Sequence, residues 1–226
     1  ACSASLVALD AAMLCMQTHR CSSAFVAGVK VMLSVDVWTF HCRAGMLSPT
    51  GVLRTFDAKA DGFVHGEGCV TAFLRPVIKS SVDLAGTSDL MPHALACGSA
   101  VVQDGRDRAS LSAPSGRSQQ RLLELAWNSV ALAPGCADFL ELHGTGTVMG
   151  DPIEANAAKA AVQSDRLQNR TGLIWAGAGK PNLGHAEGAA GLIGLSKAVL
   201  SLQRATVAPS IHLEALNPRI SWDCEA

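Results

Sequence analysis

The sequence contains no tyrosine, and aromatic residues fill only 4% of its 226 positions. That excludes modules that stack nucleic-acid bases on aromatic platforms. It also lacks an excess of either charge: 18 Lys and Arg against 19 Asp and Glu give a formal net charge of -1. No electrostatic footprint for nucleic acid or an anionic membrane follows from such a balance. The longest apolar stretches are broken by Asp10 or Lys197, so no run of roughly 18 apolar residues is present to span a bilayer. Neither nucleic acid nor membrane is an expected partner. Closely spaced cysteines are missing as well. The eight, at positions 2, 15, 21, 42, 69, 97, 136 and 224, are never nearer than six positions. This removes CxxC metal knuckles and thioredoxin-type redox chemistry. A chain this long and apolar needs no disulfide framework, so reduced thiols and a cytoplasmic location are expected.

What is present is a globular composition, 49% hydrophobic and 16% charged with 21 glycines, enough for one large domain or two small ones. Short aliphatic runs alternate with helical patterns, which reads as α/β. Leu6, Leu9, Met13 and Met16 recur at helical spacing after Cys2, and FVAGVKVML (25–33) reads as a buried strand. Cys69 to Leu74 is a second strand candidate, and residues 34–67, rich in turn signals, are expected to form a long ordered loop. HALACGSAVV (93–102), DFLELH (138–143) and GLIWAGA (172–178), each followed by a helical pattern, predict a parallel sheet. Asp151-Pro152-Ile153-Glu154 reads as a capping box opening a helix. The last long helix presents Leu192, Leu195, Val199 and Leu202 on one face, and its small-residue start from Gly188 to Gly191 permits close backbone approach.

Cys2 immediately precedes a predicted helix, where free amides and the helix dipole favour a thiolate. His143 and His185 each stand where a strand candidate ends, the place where open α/β sheets put ligands. Two imidazoles converging on one point are good donors to an oxygen that gains charge. Lys180 and Glu187 flank His185 closely enough to pair with each other, and Asp151 reads as a helix cap. GAGK (177–180) fails as a P-loop, since Ile174 and Pro181 stand where Gly and Ser or Thr are required. His185-Ala186-Glu187 lacks the PCxxC of zinc deaminases, so no metal is expected. Cys2, His143 and Asn182 also follow the chain order of a cysteine hydrolase. Its flanking signature is absent, and it leaves His185 and the GTGT loop unexplained.

Together these segments resemble the β-ketoacyl synthase domain of polyketide synthases, in the thiolase-like superfamily. ACSASLVALDAA is similar to the nucleophile motif, RAGMLSPTGVLRTFDAKADGFVHGEG to the long ordered loop, and LHGTGTVMGDPIEANA to the first histidine motif. GKPNLGHAEGAAGLIGLSKAVLSL resembles the second histidine motif, and PSIHLEALNPRISWD the segment after it. The resemblance implies that Cys2 carries an acyl chain as a thioester, and that His143 and His185 assist decarboxylation of a malonyl-type thioester and stabilise its enolate. It implies that Thr145 and Thr147 bind the pantetheine arm and that Lys180 and Glu187 support the second histidine. No cofactor is bound directly; the substrates ride on the phosphopantetheine of an acyl carrier protein, and family members dimerise. A fatty acid synthase is an allied parent. The alternatives are a catalytically silent partner for dimerisation or chain-length control and, remotely, the hydrolase.

The sequence departs from the family pattern at four places: Pro181 for Ser, His65 for Arg, Ala4 for Ser and Val102 for Asn. The family's five-layered αβαβα sandwich is about twice this long. The chain is therefore expected to be a partial domain, lacking the strands before Cys2 and the last strands, and inactive alone. Residues 1–90 would be the remainder of the N-terminal half and 91–226 a truncated C-terminal half.

Overall fold

The computed structural model describes residues 1–77, 91–107, 113–130, 136–163 and 174–221. Helix α1 (Ala4–Gln17) forms where the apolar spacing places it and turns Ser5, Leu9 and Met13 inward. Strands β1 (Ala24–Lys30) and β2 (Gly68–Leu74) pair antiparallel, with Ala24 opposite Leu74 and Lys30 opposite Gly68. The expected buried strand is buried on one face alone. Val26 and Gly28 face inward while Phe25 and Val29 are 76% and 57% exposed, because alternate side chains leave opposite sides of the pleat. The close approach at Gly28 is real: a Cβ there would lie 2.9 Å from Ala189 Cα and from Ser5 Cβ.

The segment 34–67 is not one loop, for it contains helix α2 (Asp36–Arg43). Its start signal is Ser34, whose Oγ accepts from the Asp36 amide at 3.1 Å. The rest is ordered by buried polar anchors. Asp57, with no exposed surface, accepts from the amides of Lys59, Glu214 and Ala215 at 2.7–2.8 Å. Burial works to raise its pKa, but those hydrogen bonds outweigh it and hold the carboxyl low. The anticipated strand at 93–102 does not form: among the described residues no ladder receives its amides, and Ser99 Oγ instead donates to Asp10 at 2.7 Å.

Helix α3 (Gly116–Asn128) is capped by Ser115, whose side chain accepts from the Ser118 amide, and packs on α4 (Gly150–Gln163), with Ile153 facing Gly116. Strands β3 (Phe139–Glu141) and β4 (Trp175–Gly177) form the expected parallel pair; Gly172 and Leu173 of the β4 candidate lie outside the described residues. The short helix α5 (Lys180–Leu183) and a 3₁₀ turn (Glu187–Ala189) lead into α6 (Ala190–Arg204). Leu192 of α6 joins Leu9, Met13 and Val26 in one core cluster, with Leu195 against it. Leu202 departs from the expected apolar face and is 73% exposed. A second cluster joins Phe56, Ala155 and Ile220. Seven cysteines are free, and among the described residues no helix is long and apolar enough to cross a membrane.

Candidate active site

Cys2 precedes Ser3, the N-cap residue of α1. Its Sγ lies 3.2 Å from His185 Nε2. The imidazoles of His143 and His185 meet edge to face, centroids 5.2 Å apart at 86°. The convergence expected of the three residues is therefore present. The expected thiolate is not favoured: burial above all, and then the charge of Glu187, push the Cys2 thiol above its ordinary value, against the opposing pull of Lys180.

His185 is held by backbone. Its amide donates to Val64 O at 2.7 Å and its carbonyl accepts from the Gly66 amide at 3.1 Å. The turn before it uses Gly184 at φ +74°, where a Cβ would meet His65 O at 2.6 Å. Burial, followed by the charges of His143 and Lys180, lowers His185 to about 3. It is a neutral imidazole at physiological pH, and its Nδ1 is buried with no hydrogen-bond partner among the described residues.

His143 follows β3, in a loop built on two carboxylates of α4. Glu154 accepts from the amides of His143 and Gly144. Asp151 accepts from Gly146 at 2.9 Å, Thr147 at 3.3 Å and, across the chain, Phe56 at 2.9 Å. The capping-box reading is thus corrected, because both carboxylates leave their own helix to satisfy loop amides. The first turn of α4 is capped by Thr147, whose Oγ1 accepts from Gly150 at 3.1 Å. Gly144 and Gly146 take φ of +49° and +71°, and a Cβ on Gly144 would lie 2.5 Å from Ala178 Cβ. Thr145 Oγ1 stands 3.3 Å from Thr147 Oγ1 beside the histidines' loop.

The expected Lys180–Glu187 pair does not form. Lys180 donates to the carbonyl oxygen of His143 and lies 3.3 Å from its Nδ1, while Glu187 pairs with Lys30 at 2.7 Å. A donor at Nδ1 leaves the proton of neutral His143 on Nε2. Packing around the ring, then Lys180, lowers the pKa of His143, and its open outer surface lets water screen part of that effect. Lys180 is itself lowered by burial, with Glu154 and Glu141 acting the other way. Burial works to raise Glu187, but Lys30, His41 and His65 hold it low. Pro181 falls in the first turn of α5, where its missing N–H has no intrahelical acceptor to lose. The hydrolase arrangement fails on geometry, since Cys2 faces His185, His143 Nδ1 faces Lys180, and Asn182 is exposed.

Asp57, Thr55 and Phe63 went unrecognised in the sequence, and Glu154 reads there only as part of a capping box. Thr55 Oγ1 donates to Gly144 O at 2.7 Å, and Phe63 stands edge-on to His185 at 5.2 Å. Their one available signal was density of polar and turn residues in a loop too long to be mere connection.

An α/β scaffold that gathers a cysteine and two histidines at the ends of its elements is the arrangement that the resemblance to the thiolase-like class implies. Family models agree: residues 1–79 match the beta-ketoacyl synthase N-terminal domain and residues 93–214 its C-terminal domain. The chain belongs to the beta-ketoacyl synthase family. It is 43% identical over 222 residues to one of the proteins of the phenolphthiocerol/phthiocerol polyketide synthase of Mycobacterium bovis, covering 98% of this chain and 11% of that protein. Identity with erythronolide synthase EryA2 of Saccharopolyspora erythraea is 40%, covering 98% of this chain and 6% of the relative. Among solved structures, the ketosynthase from module 6 of the bacillaene synthase of Bacillus subtilis superimposes with a TM-score of 0.88 at 32% identity, over 97% of this chain and 38% of that one. The chain thus spans about a tenth or less of these curated relatives and under two fifths of the ketosynthase structure. Its fold is the thiolase-like α/β fold of those ketosynthases.

Proposed function

We propose that the chain forms the condensing centre of a polyketide synthase, joining an acyl group on Cys2 to a malonyl-type unit with loss of carbon dioxide. The observation that carries this reading is the 3.2 Å approach of Cys2 Sγ to His185 Nε2 with the His143 ring edge-on beside it.

In the first half-reaction the Cys2 sulfur attacks the carbonyl of an acyl-pantetheine thioester. A new S–C bond forms, and the pantetheine thiol leaves with the proton that Cys2 gives up. Because the thiol is held high and His185 low, the resting pair is thiol and imidazole rather than an ion pair. His185 Nε2 is placed to receive the thiol proton during attack. In the second half-reaction a malonyl-type thioester loses carbon dioxide, and its bonding electrons become an enolate. The Nε2–H of His143, aligned by Lys180 behind it, donates to that enolate oxygen, and His185 joins it in the tautomer that carries its proton on Nε2. The enolate carbon then attacks the Cys2 thioester, forming the C–C bond and breaking the S–C bond; Cys2 leaves as a thiolate and takes up a proton from water to return to the resting thiol.

Thr145 and Thr147 border the entry to the histidines and serve the pantetheine arm, with Thr147 also capping α4. The partner is an acyl carrier protein that presents both thioesters, and no separate cofactor enters the reaction. Glu187 pairs with Lys30 beside loop 63–66, and its charge also bears on Cys2 and His185. A homodimer through the open face of β1 and β2 accounts for the exposed, mutually packed rings of Phe25 and Phe73, 4.7 Å apart. The location proposed is cytoplasmic, where thiols stay reduced.

The test is peptide mapping by mass spectrometry after incubating the purified protein carrying this chain with an acyl-pantetheine thioester. Acyl on Cys2 alone, lost in Cys2→Ala, supports the reading. Labelling spread over the exposed cysteines, or none on Cys2, refutes it.

A further inference from the structure

A second group of ligand-bearing side chains lies beside the site and makes or breaks no bond in the chemistry above. His41 of α2, His65 of the loop before β2, and Glu187 of the 3₁₀ turn each offer one ligand atom, all within 4.8 Å of one another. His41 Nδ1 and His65 Nδ1 lie 3.9 Å and 3.6 Å from Glu187 Oε1, while the other ring nitrogen of His65, Nε2, is hydrogen-bonded to His41 Nδ1 at 3.2 Å. Ligand bonds of about 2.0 Å around a tetrahedral ion put neighbouring ligand atoms about 3.3 Å apart. The two spacings to Glu187 Oε1 are a few tenths of an ångström longer than that, and one atom from each residue fits within 4.8 Å of the others.

Three further observations point to a ligand. The His65 side chain has no exposed surface, and both its Nδ1 and Glu187 Oε1 are buried without a hydrogen-bond partner among the described residues. Buried polar atoms left so are uncommon and destabilising. Lys30 engages Oε2 of Glu187 at 2.7 Å, which leaves Oε1 as the oxygen turned to the histidines. Glu187 also holds φ at +37°, a conformation that a residue with a side chain keeps only where its surroundings impose it. The walls are apolar: Trp38 lies 4.7 Å from His65, and Phe63 packs edge-on to both His41 and His65.

We propose that His41, His65 and Glu187 bind one zinc-class divalent transition-metal ion, with a fourth position for water. Two imidazoles and one carboxylate suit zinc or cobalt, whereas calcium and magnesium require more oxygen donors. The ion would tie α2 and the 3₁₀ turn to loop 63–66, whose backbone clamps His185, so that occupancy stiffens the mounting of the second histidine. The arginine usual at position 65 in the family would set a fixed positive charge in this place; histidine turns it into a ligand site.

The test uses cobalt(II), with zinc(II) as competitor, on the purified protein carrying this chain. Cys2 is first blocked with iodoacetamide so that Cys2, His143 and His185 cannot supply a rival site. Expected is one cobalt per chain, with the strong visible absorption of a tetrahedral ion, no thiolate charge-transfer band, and displacement by zinc. His65→Arg and His41→Gln should each weaken binding at least tenfold with an unchanged circular dichroism spectrum. Should His65→Arg disturb the fold, His41→Gln decides alone. Absence of cobalt binding, or equal binding in His41→Gln, overturns the proposal.

Discussion

Lys180 serves His143, not the histidine five residues after it: its ammonium donates to the His143 carbonyl and sits 3.3 Å from Nδ1. Two residues 37 positions apart are thereby joined into one hydrogen-bonded unit. Lys180→Met should lower decarboxylation by about 10²-fold, the usual loss of a donor to a developing oxyanion, while Cys2 acylation falls far less. It should also raise the His143 pKa, because the ammonium lowers it. Half-reaction kinetics and an imidazole NMR titration read these separately.

Stability should fall with acid through His185. The folded pKa, about 3, lies below the ordinary 6.5, so between those values the unfolded chain binds more protons, and stability rises with pH across that window. His185→Gln has no such titration. Between pH 7.5 and pH 5 the native protein should lose about 2 kcal/mol more than this variant, as measured by denaturant unfolding at both pH values.

Asp151→Ala should cost at least about 3 kcal/mol, because three amides lose a buried acceptor and each orphaned group costs roughly 1 kcal/mol or more. A conventional cap costs about 1 kcal/mol. The same variant should reduce decarboxylation, since Gly146 and Thr147 belong to the loop that carries His143. Urea unfolding and the decarboxylation rate check the two effects.

Gly66→Ala would place a Cβ 2.3 Å from the carbonyl oxygen of Leu183. Backbone must move, and it is the backbone that holds His185. A loss of about 1–3 kcal/mol is expected, with slower acylation of Cys2, measured by thermal unfolding and by mass-spectrometric labelling.

Cys2, His143 and His185 were legible in the sequence because each stands at the boundary of an element with a strong pattern. The β3–β4 pair and helices α1 and α6 were legible for the same reason. The supports of the site were not. Glu154 fits a capping box by spacing, yet its acceptors serve amides ten and eleven positions earlier, a partnership only the folded loop creates. Lys180 and Glu187 are close in sequence, but α5 and the turn after it send them to opposite neighbours, His143 and Lys30. Helix α2 was hidden among turn residues, and with it His41. The antiparallel β1–β2 ladder depends on two runs separated by a long segment, whose pairing direction periodicity does not encode.

His185 is gripped by the carbonyl of Val64 and the amide of Gly66, the two residues on either side of His65. The grip uses main chain alone, so the identity of residue 65 is uncoupled from the placement of the imidazole. A change of side chain at position 65 leaves both hydrogen bonds available, so the surroundings behind His185 can vary while its main-chain mounting stays the same.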